Sequence, residues 1–156
     1  MLFVLLLVLL LPSVHASRIQ STAVEGVVLC GRTPAEGVVV RLMEEDIDVA
    51  PFSWLDPHDV LAASTSDSNG YFNLSGSTEE FTAIEPVIEI VHDCNDGIKK
   101  GHRKIRLGLP DQYITSARTP AKVVYLGVLN LELEYKNEER EDDEDDDEAE
   151  TLSRRS

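Results

Sequence analysis

Hydrophobic and polar residues alternate with a period of two along most of residues 22–135, and no long stretch repeats every 3.6 residues. The alternating runs are short and are separated by residues that favour turns, such as Gly, Pro, Asn and Asp. Strands are predicted at residues 22–30, 37–43, 62–66, 71–74, 87–92, 102–109 and 129–135, with one helical turn at 79–84. Regular turn spacing between so many short strands predicts an all-β sandwich of about seven strands.

Two of these predictions depend on particular residues. Asn69-Gly70 falls between two runs and predicts a hairpin, because Asn-Gly favours the tight turns of hairpins. The last run alternates most clearly, and it places Leu129, Leu131 and Leu133 on one face of the final strand.

The longest predicted connection, residues 44–59, contains the only Trp of the chain. Long irregular connections in small domains are often functional. Two interpretations stay open: Trp54 folds back over a sheet edge, or Phe52, Trp54 and Leu55 form an exposed tip that contacts a partner or a lipid.

The N-terminus has the composition of a targeting segment. Residues 2–11 are ten consecutive apolar residues, followed by Pro12 and a short stretch with small residues. This pattern predicts a secretory signal peptide, residues 1–16, cleaved between Ala16 and Ser17, with an uncleaved anchor as the alternative. This run is too short to span a membrane and no other apolar run approaches the necessary length, so no transmembrane segment is predicted. The expected location is extracellular, either free or at a cell surface.

The chain is acidic, with 29 Asp and Glu against 14 Lys and Arg and a net charge of −15. This charge argues against nucleic acid as a partner. Residues 138–156 hold eleven acids and three Arg, a net −8. They predict a disordered acidic tail after a domain at residues 17–137. Weak cation binding, or contact with a basic partner, is the alternative role for the tail.

Two kinds of modification are predicted. Cys30 and Cys94 are the only cysteines, and an oxidising compartment would pair them in a disulfide. Free thiols or an intermolecular bridge are the alternatives. Asn73 begins the sequence Asn-Leu-Ser, a site for N-glycosylation, and strand alternation points it away from Phe72 and Leu74, towards solvent.

The one basic cluster on this acidic chain consists of Lys99, Lys100, Arg103, Lys104 and Arg106. One interpretation is an edge strand whose charges prevent aggregation. The other is a local site for anionic head groups.

No catalytic, metal-binding or cofactor-binding residues are predicted. His92 and Cys94 lie two residues apart, but the sequence has no second group of ligands with zinc spacing. It also lacks a glycine-rich phosphate loop and a nucleophile elbow.

Several segments resemble the nematode transthyretin-like family. The most specific are residues 92–99, His-Asp-Cys-Asn-Asp-Gly-Ile-Lys, and residues 109–114, Leu-Pro-Asp-Gln-Tyr-Ile. Residues 24–30, 66–72 and 127–132 add to the resemblance, which spans about residues 22–135. It implies a secreted sandwich of the transthyretin, or prealbumin, type. This chain differs from the family in lacking further cysteines, in its longer connection and in its acidic tail.

The same fold also occurs in hydrolases of 5-hydroxyisourate, which use an early His, a mid-chain Arg and a C-terminal Tyr-Arg-Gly-Ser. The corresponding segments here lack these residues. The resemblance therefore implies a non-enzymatic extracellular binding protein that contacts a cell surface, a receptor or a lipid. The alternative is a carrier that holds a small hydrophobic ligand between subunits or sheets. No oligomeric state is predicted.

Overall fold

Nine strands account for most of residues 17–45, 58–136 and 138–141, which are the residues that the computed structural model of the chain describes. The strands are β1 Arg18–Cys30, β2 Thr33–Pro34, β3 Val39–Glu45, β4 His58–Thr65, β5 Tyr71–Glu80, β6 Pro86–His92, β7 His102–Gly108, β8 Val124–Asn130 and β9 Glu139–Glu141. Within the same residues, a 3-10 turn at Asp111–Tyr113 is the only helical element.

The strands form two sheets, as the alternation predicted. In sheet A, β1 pairs antiparallel with β5 on one side and parallel with β8 on the other, while β2 pairs with the end of β1. Sheet B has the order β4-β3-β6-β7-β9, and all its pairs are antiparallel. The predicted all-β sandwich is confirmed.

Branched and aromatic side chains from both sheets fill the space between them. Alternation along each strand sends every second residue inward, which is why the predicted period of two marks this core. The central members are Val24, Val28, Val40, Leu42, Phe72, Leu74, Ile88, Ile90, Ile105 and Leu131. All ten are buried.

The turn at residues 66–71 joins the two sheets and does not form the predicted hairpin. It connects β4 of sheet B to β5 of sheet A. The Asp67 side chain accepts hydrogen bonds from the backbone N–H groups of Asn69 and Tyr71. Gly70 has a φ of +74°, and a Cβ there would collide with the carbonyl oxygen of Val28. The Asn-Gly signal therefore marks a tight turn, but it does not determine which strands pair.

The last long strand lies earlier than predicted. β8 ends at Asn130, whose side chain accepts hydrogen bonds from the N–H groups of Gly31 and Glu132. The Leu133 N–H then donates to the Asn130 carbonyl and closes a turn. Leu131 is consequently buried and Leu133 exposed, so the predicted shared face is wrong. Asn favours such turns because its side chain can replace a backbone acceptor.

The predicted helical turn at residues 79–84 is also wrong. β5 continues to Glu80, because its last residues pair with the start of β1 through Glu79 and Glu80. After that the chain runs without helix to β6.

The ordered sheet extends beyond the predicted domain end at residue 137. Residues 139–141, which the composition assigned to the tail, form β9 and pair with β7. Strand β7 therefore has a neighbour on each side, and it is not the edge strand that its charges predicted. Residues 142–156 lie outside the described residues, and the disorder of that part stays a prediction.

Candidate functional site

The loop that joins β6 to β7, residues 93–101, is called the disulfide loop here. Its backbone takes left-handed conformations at Asn95 (φ 53°), Gly97 (φ 68°) and Gly101 (φ 68°). Gly adopts such angles freely, and Asn tolerates them better than most residues. The sequence of the loop therefore favours a series of sharp turns.

A disulfide attaches this loop to sheet A. Cys94 bonds to Cys30 at the end of β1, and their Cα atoms are 5.6 Å apart. This is the disulfide that the cysteine count predicted. A second tie lies beside it, where the Asn95 amide donates to Glu132 at 2.8 Å. The loop is thus held from the side of sheet A.

Arg140 of β9 holds the loop from the side of sheet B. Its guanidinium donates to both carboxylate oxygens of buried Asp96, at 3.0 and 2.8 Å. It also donates to the carbonyls of Lys100 and Gly101. The hydrogen bonds from Arg140 lower the pKa of Asp96 and keep its carboxylate ionised.

Arg103 of β7 is a second guanidinium at the base of the loop and, unlike Arg140, it is buried. It donates to the Cys94 carbonyl at 2.8 Å and to the Leu131 carbonyl at 3.0 Å. It also pairs with both oxygens of Glu138, and this hydrogen bonding lowers the pKa of the Glu138 carboxyl. A bidentate guanidinium contact is geometrically specific, so it fixes the loop relative to the last strand.

The tip of the anchored loop carries an apolar side chain between polar neighbours. Ile98 is fully exposed, at 104% of its reference accessibility, and Lys99 and Lys100 beside it are exposed as well. Neither lysine forms a salt bridge with a described residue. The site therefore presents one aliphatic group and two cations on a fixed backbone.

A half-open cleft of about 320 Å³ lies under the loop. Its lining includes the disulfide, Gly37, His92 and Leu131. His92 is buried, and its Nδ1 accepts a hydrogen bond from the Cys94 N–H at 3.2 Å. Burial, together with the nearby charge of Arg103, lowers the pKa of His92 to about 4, so the ring is neutral at physiological pH.

His102 and Asp93 also line the cleft, and the His102 Nδ1 and Asp93 Oδ1 atoms are 2.6 Å apart. Across residues 17–45, 58–136 and 138–141, no group of three His, Cys, Asp or Glu side chains is arranged to hold a metal ion. The cleft therefore has one histidine that contacts a carboxylate, His102, and one that is buried and neutral, His92.

The structure divides the predicted basic cluster into two parts. Lys99 and Lys100 lie at the exposed tip, whereas Arg103 is buried in the network described above. Lys104 pairs with Glu139 and Glu141, and Arg106 pairs with Glu89 and Glu45. The charges of Arg103, Lys104 and Arg106 are therefore compensated by nearby carboxylates, and Lys99 and Lys100 are the members of the cluster without a carboxylate partner among the described residues.

The other predicted site residues fall in different places. Asn73 is exposed on sheet A, away from the loop. Phe52, Trp54 and Leu55, like Ala16 of the predicted cleavage site, lie outside the described residues, so their predicted roles stay predictions.

The sequence alone did not single out Ile98, Glu138, or the β9 residues Arg140 and Glu141. A single Ile between Gly97 and two lysines in a turn-rich segment is a signal that could have found the tip. The acidic run concealed the others, although the lone Arg140 within it departs from the pattern of a solvated tail.

The fold and this loop define a two-sheet β sandwich with a disulfide-anchored surface loop. The family model described as the transthyretin-like family, TTR-52, matches residues 25–110. Transthyretin-like protein 46 of Caenorhabditis elegans is 48% identical over 135 residues, which cover 86% of this chain and 72% of that protein. Transthyretin-like protein 2 of the same organism is 43% identical over 121 residues, or 78% of this chain and 81% of that protein.

The chain therefore belongs to the transthyretin-like family, as its sequence motifs indicated. Among solved structures, a 9R-lipoxygenase from Cyanothece aligns with 75% of this chain and 17% of its own at 15% identity, with a TM-score of 0.39. In the part of the chain that the structure describes, no helix has the length and apolar character needed to cross a membrane.

Proposed function

We propose that this protein is a secreted, non-enzymatic binding protein that contacts a cell surface, a receptor or a lipid through the tip of the disulfide loop. The observation that carries the proposal is the full exposure of Ile98 on a backbone held by Cys94, Asp96 and Arg103. Family membership supports the extracellular location, since the transthyretin-like resemblance implies secretion.

Ile98 differs from the other exposed apolar residues in being fully exposed at the tip of a loop that is nevertheless held in place. A single exposed aliphatic side chain is normal on a protein surface. However, a loop fixed in one conformation loses little entropy when it binds, and so more of the contact energy appears as affinity. The disulfide, the buried guanidinium of Arg103 and the more exposed guanidinium of Arg140 provide such pre-organisation at this loop.

The charges near the tip favour an anionic partner. Lys99 and Lys100 are the members of the basic cluster without a carboxylate partner among the described residues. The chain as a whole carries −15, so attraction to an anionic surface would be local and would weaken as salt screens it. An apolar anchor flanked by cations suits the boundary between head groups and acyl chains, or an acidic patch on a receptor.

The ionisable groups around the loop form hydrogen bonds within the protein, and this supports a non-enzymatic role. Arg103, Arg140, Asp96 and Glu138 are engaged with one another or with backbone carbonyls. The neutral His92 is buried and accepts a backbone hydrogen bond. None of these groups is arranged as a nucleophile beside a base that is itself oriented by a third residue.

The carrier alternative is supported only by the cleft under the loop. Its volume of about 320 Å³ lies near the lower limit for small-ligand sites. The space between the sheets is filled by buried side chains, which leaves little support for a ligand held there. A carrier would retain a stoichiometric apolar molecule, and native mass spectrometry of the secreted protein would detect it.

Binding of the purified protein to cells and to vesicles tests the proposal. Vesicles of anionic phospholipid and of neutral phospholipid would be compared by co-sedimentation, in parallel with binding to intact cells and to protease-treated cells. Burial of one Ile side chain is worth about 1.5–3 kcal/mol, so Ile98→Ser is expected to weaken binding by tenfold or more. Loss of binding to protease-treated cells alone would indicate a receptor.

Two matched variants control this experiment. Leu133→Ser removes another exposed aliphatic side chain, and Lys136→Ser removes another exposed lysine, both outside the disulfide loop. Both should bind as the unmodified protein does, whereas Lys99→Ser combined with Lys100→Ser should weaken binding and flatten its salt dependence. Equal binding by Ile98→Ser and Leu133→Ser would refute the assignment of the tip.

A further inference from the structure

The outer face of sheet A carries an open group of aromatic and aliphatic side chains. Strand register places Tyr125, Glu25 and Asn73 in one row across β8, β1 and β5, and Val128, Val27 and Tyr71 in a neighbouring row. Tyr125 is 64% exposed, Val128 is 61% exposed and Tyr71 is also exposed. These six residues are called the sheet A patch.

Asn73 belongs to the only Asn-x-Ser/Thr sequence in the chain. It lies within the patch, with its side chain exposed. The Asn73 amide donates to the Tyr71 hydroxyl at 3.2 Å, and that hydroxyl donates to Glu25 at 2.9 Å. Because a glycosylated Asn keeps one N–H, this small network can persist after a sugar is attached.

We infer that Asn73 carries an N-linked glycan and that the first sugars of this glycan cover the sheet A patch. The inference depends on the secretory route in the proposed function, because the glycan is added there. It assigns the patch an occupant that belongs to the chain itself, and it separates this face from the binding tip.

The geometry of the rows supports this occupant. Neighbouring strands lie about 4.8 Å apart, so the Cα atoms of Asn73 and Tyr125, two strands apart in one row, are separated by about 10 Å. A chain of two sugar rings leaving Asn73 can lie over Glu25 and reach the Tyr125 ring. Sugars present both C–H faces and hydroxyl groups, which match the aromatic rings and the Glu25 carboxylate of this patch.

The apolar residues of the patch and the neighbouring strand edge also support a covalently attached glycan as the group that covers it. Exposed groups of large apolar residues on a secreted domain favour association with other chains. β8 also has a free edge among the described residues, since its one strand partner is β1. A glycan beside that edge would hinder another chain from pairing with it.

Expression of the full chain in an insect or mammalian secretory host tests the site. The secreted protein should lose the mass of one N-glycan on treatment with peptide N-glycosidase. Ser75→Ala should also lack that mass while leaving Asn73 unchanged, and Ser75→Thr should keep it. Secreted protein without any glycan would overturn the inference.

A parallel version of residues 17–156 behind a heterologous signal peptide separates this result from a failure of secretion. If only that version is exported and it carries the glycan, the glycan inference stands and the predicted signal peptide fails. If it is exported without a glycan, the inference fails whatever the natural route.

Contact between glycan and patch is measured by NMR of protein grown with ¹³C-labelled sugars. Protons of the first two sugars should be shifted upfield by the Tyr125 ring, and Tyr125→Ser should remove the shift without loss of the glycan. Phe81→Ser is the matched control, because Phe81 is similarly exposed at 66% but lies eight residues along the chain from Asn73, about 26 Å in an extended strand.

Two results would overturn the covering role. One is a set of sugar shifts equal to those of a free glycopeptide of the same sequence. The other is a glycosylated protein that dimerises through the patch, seen as dissociation in both Tyr125→Ser and Val128→Ser. That second result would assign the face to a second copy of the chain.

Discussion

The outer faces of the two sheets differ in how they use polar residues. On sheet B, Arg41, Glu89 and Arg106 lie in one row across three strands and form salt bridges. Arg41 also pairs with Glu141 of β9, and both are buried. On sheet A, Glu25 is the middle residue of the row that runs from Tyr125 to Asn73, and it forms no salt bridge with a described residue.

The two faces differ because the charged residues of sheet B have buried partners of opposite charge, whereas Glu25 of sheet A has an exposed hydroxyl as its partner. Sheet B obtains part of its negative charge from β9, a segment distant in sequence from Arg41. Buried pairs of this kind contribute little net stability compared with apolar residues, but losing one partner is costly. The outer face of sheet B is therefore closed by its own side chains, whereas the protein side chains of sheet A leave its outer face open.

The largest expected effect comes from breaking the bond that joins the two sheets. Cys30→Ser combined with Cys94→Ser should lower the free energy of unfolding by about 4 kcal/mol, since the disulfide closes a loop of about 65 residues. Chemical denaturation of the oxidised protein and of the double variant measures the difference. Unfolding free energies within 1 kcal/mol of each other would contradict this estimate of the contribution of the disulfide.

The next effect tests the contrast between the faces directly. Glu141→Gln removes a buried carboxylate from Arg41 and should cost about 3 kcal/mol. Burial raises the pKa of Glu141, but the hydrogen bonds and charge of Arg41 outweigh this, so its pKa is lowered and the carboxylate is ionised in the native state.

Glu25→Gln is the matched change on sheet A, where the carboxylate accepts from the exposed Tyr71 hydroxyl. It should change the unfolding free energy by less than about 0.5 kcal/mol. Equal costs for the two variants would mean that β9 is not docked as described.

The core could be predicted from the sequence, but the ends of the strands and the edge strand β9 could not. Alternation identified which residues of β3, β6 and β7 face the core, because successive side chains of a strand point to opposite faces. It could not show that Arg41, Glu89 and Val91 on the outer face are buried as well. The same rule failed at Asn130, where a side-chain hydrogen bond ends the strand while the alternation continues in the sequence. Local patterns could not show β9 either, since Glu139 and Glu141 resemble tail residues until Arg41 and Lys104 are seen beside them.

The candidate site was predicted only in part, for a related reason. Cys94, Lys99 and Lys100 could be found from residue type alone. The importance of Ile98 depends on rigidity, and rigidity depends on contacts with Arg103 and Arg140 that bring distant segments together. Such contacts have no periodic signal in the sequence.

A smaller effect depends on pH and concerns His92, on the inner side of sheet B. Its folded pKa of about 4 lies below the ordinary value of 6.5, so the unfolded chain binds more protons than the folded protein between these values. Stability should therefore fall as the pH decreases from 6.5, by about 2 kcal/mol at pH 5. Above about pH 7.5, where His92 is neutral in both states, this contribution should be constant.

The variant that isolates this contribution is His92→Asn. The Asn side-chain oxygen can take the place of Nδ1 as acceptor for the Cys94 N–H, but it does not titrate. The difference in unfolding free energy between the variant and the unmodified protein should change by about 2 kcal/mol between pH 7 and pH 5. A constant difference would show that His92 titrates normally. Measurements above pH 5 avoid the titration of Glu138 and Glu141, whose pKa values are lowered.

The smallest expected effect comes from making the same substitution, Val to Thr, on the outer face of each sheet. Val91 on the outer side of sheet B is 4% exposed, whereas Val128 on sheet A is 61% exposed. Replacement of Val by Thr keeps the shape and puts a hydroxyl in place of one methyl group. The hydroxyl is costly only where no water or protein group can form a hydrogen bond with it. Val91→Thr should cost about 1 kcal/mol, and Val128→Thr should stay within about 0.5 kcal/mol of the unmodified protein.

Thermal unfolding of the two Thr variants, with and without the Asn73 glycan, adds a final distinction. If the glycan covers the sheet A patch, removing it should lower the melting temperature of the unmodified protein more than that of Val128→Thr, because the added hydroxyl already weakens the apolar contact. The cost of Val91→Thr should not depend on the glycan, since Val91 belongs to the other sheet. Equal glycan effects in all three proteins would mean that the two faces differ in exposure but not in what covers them.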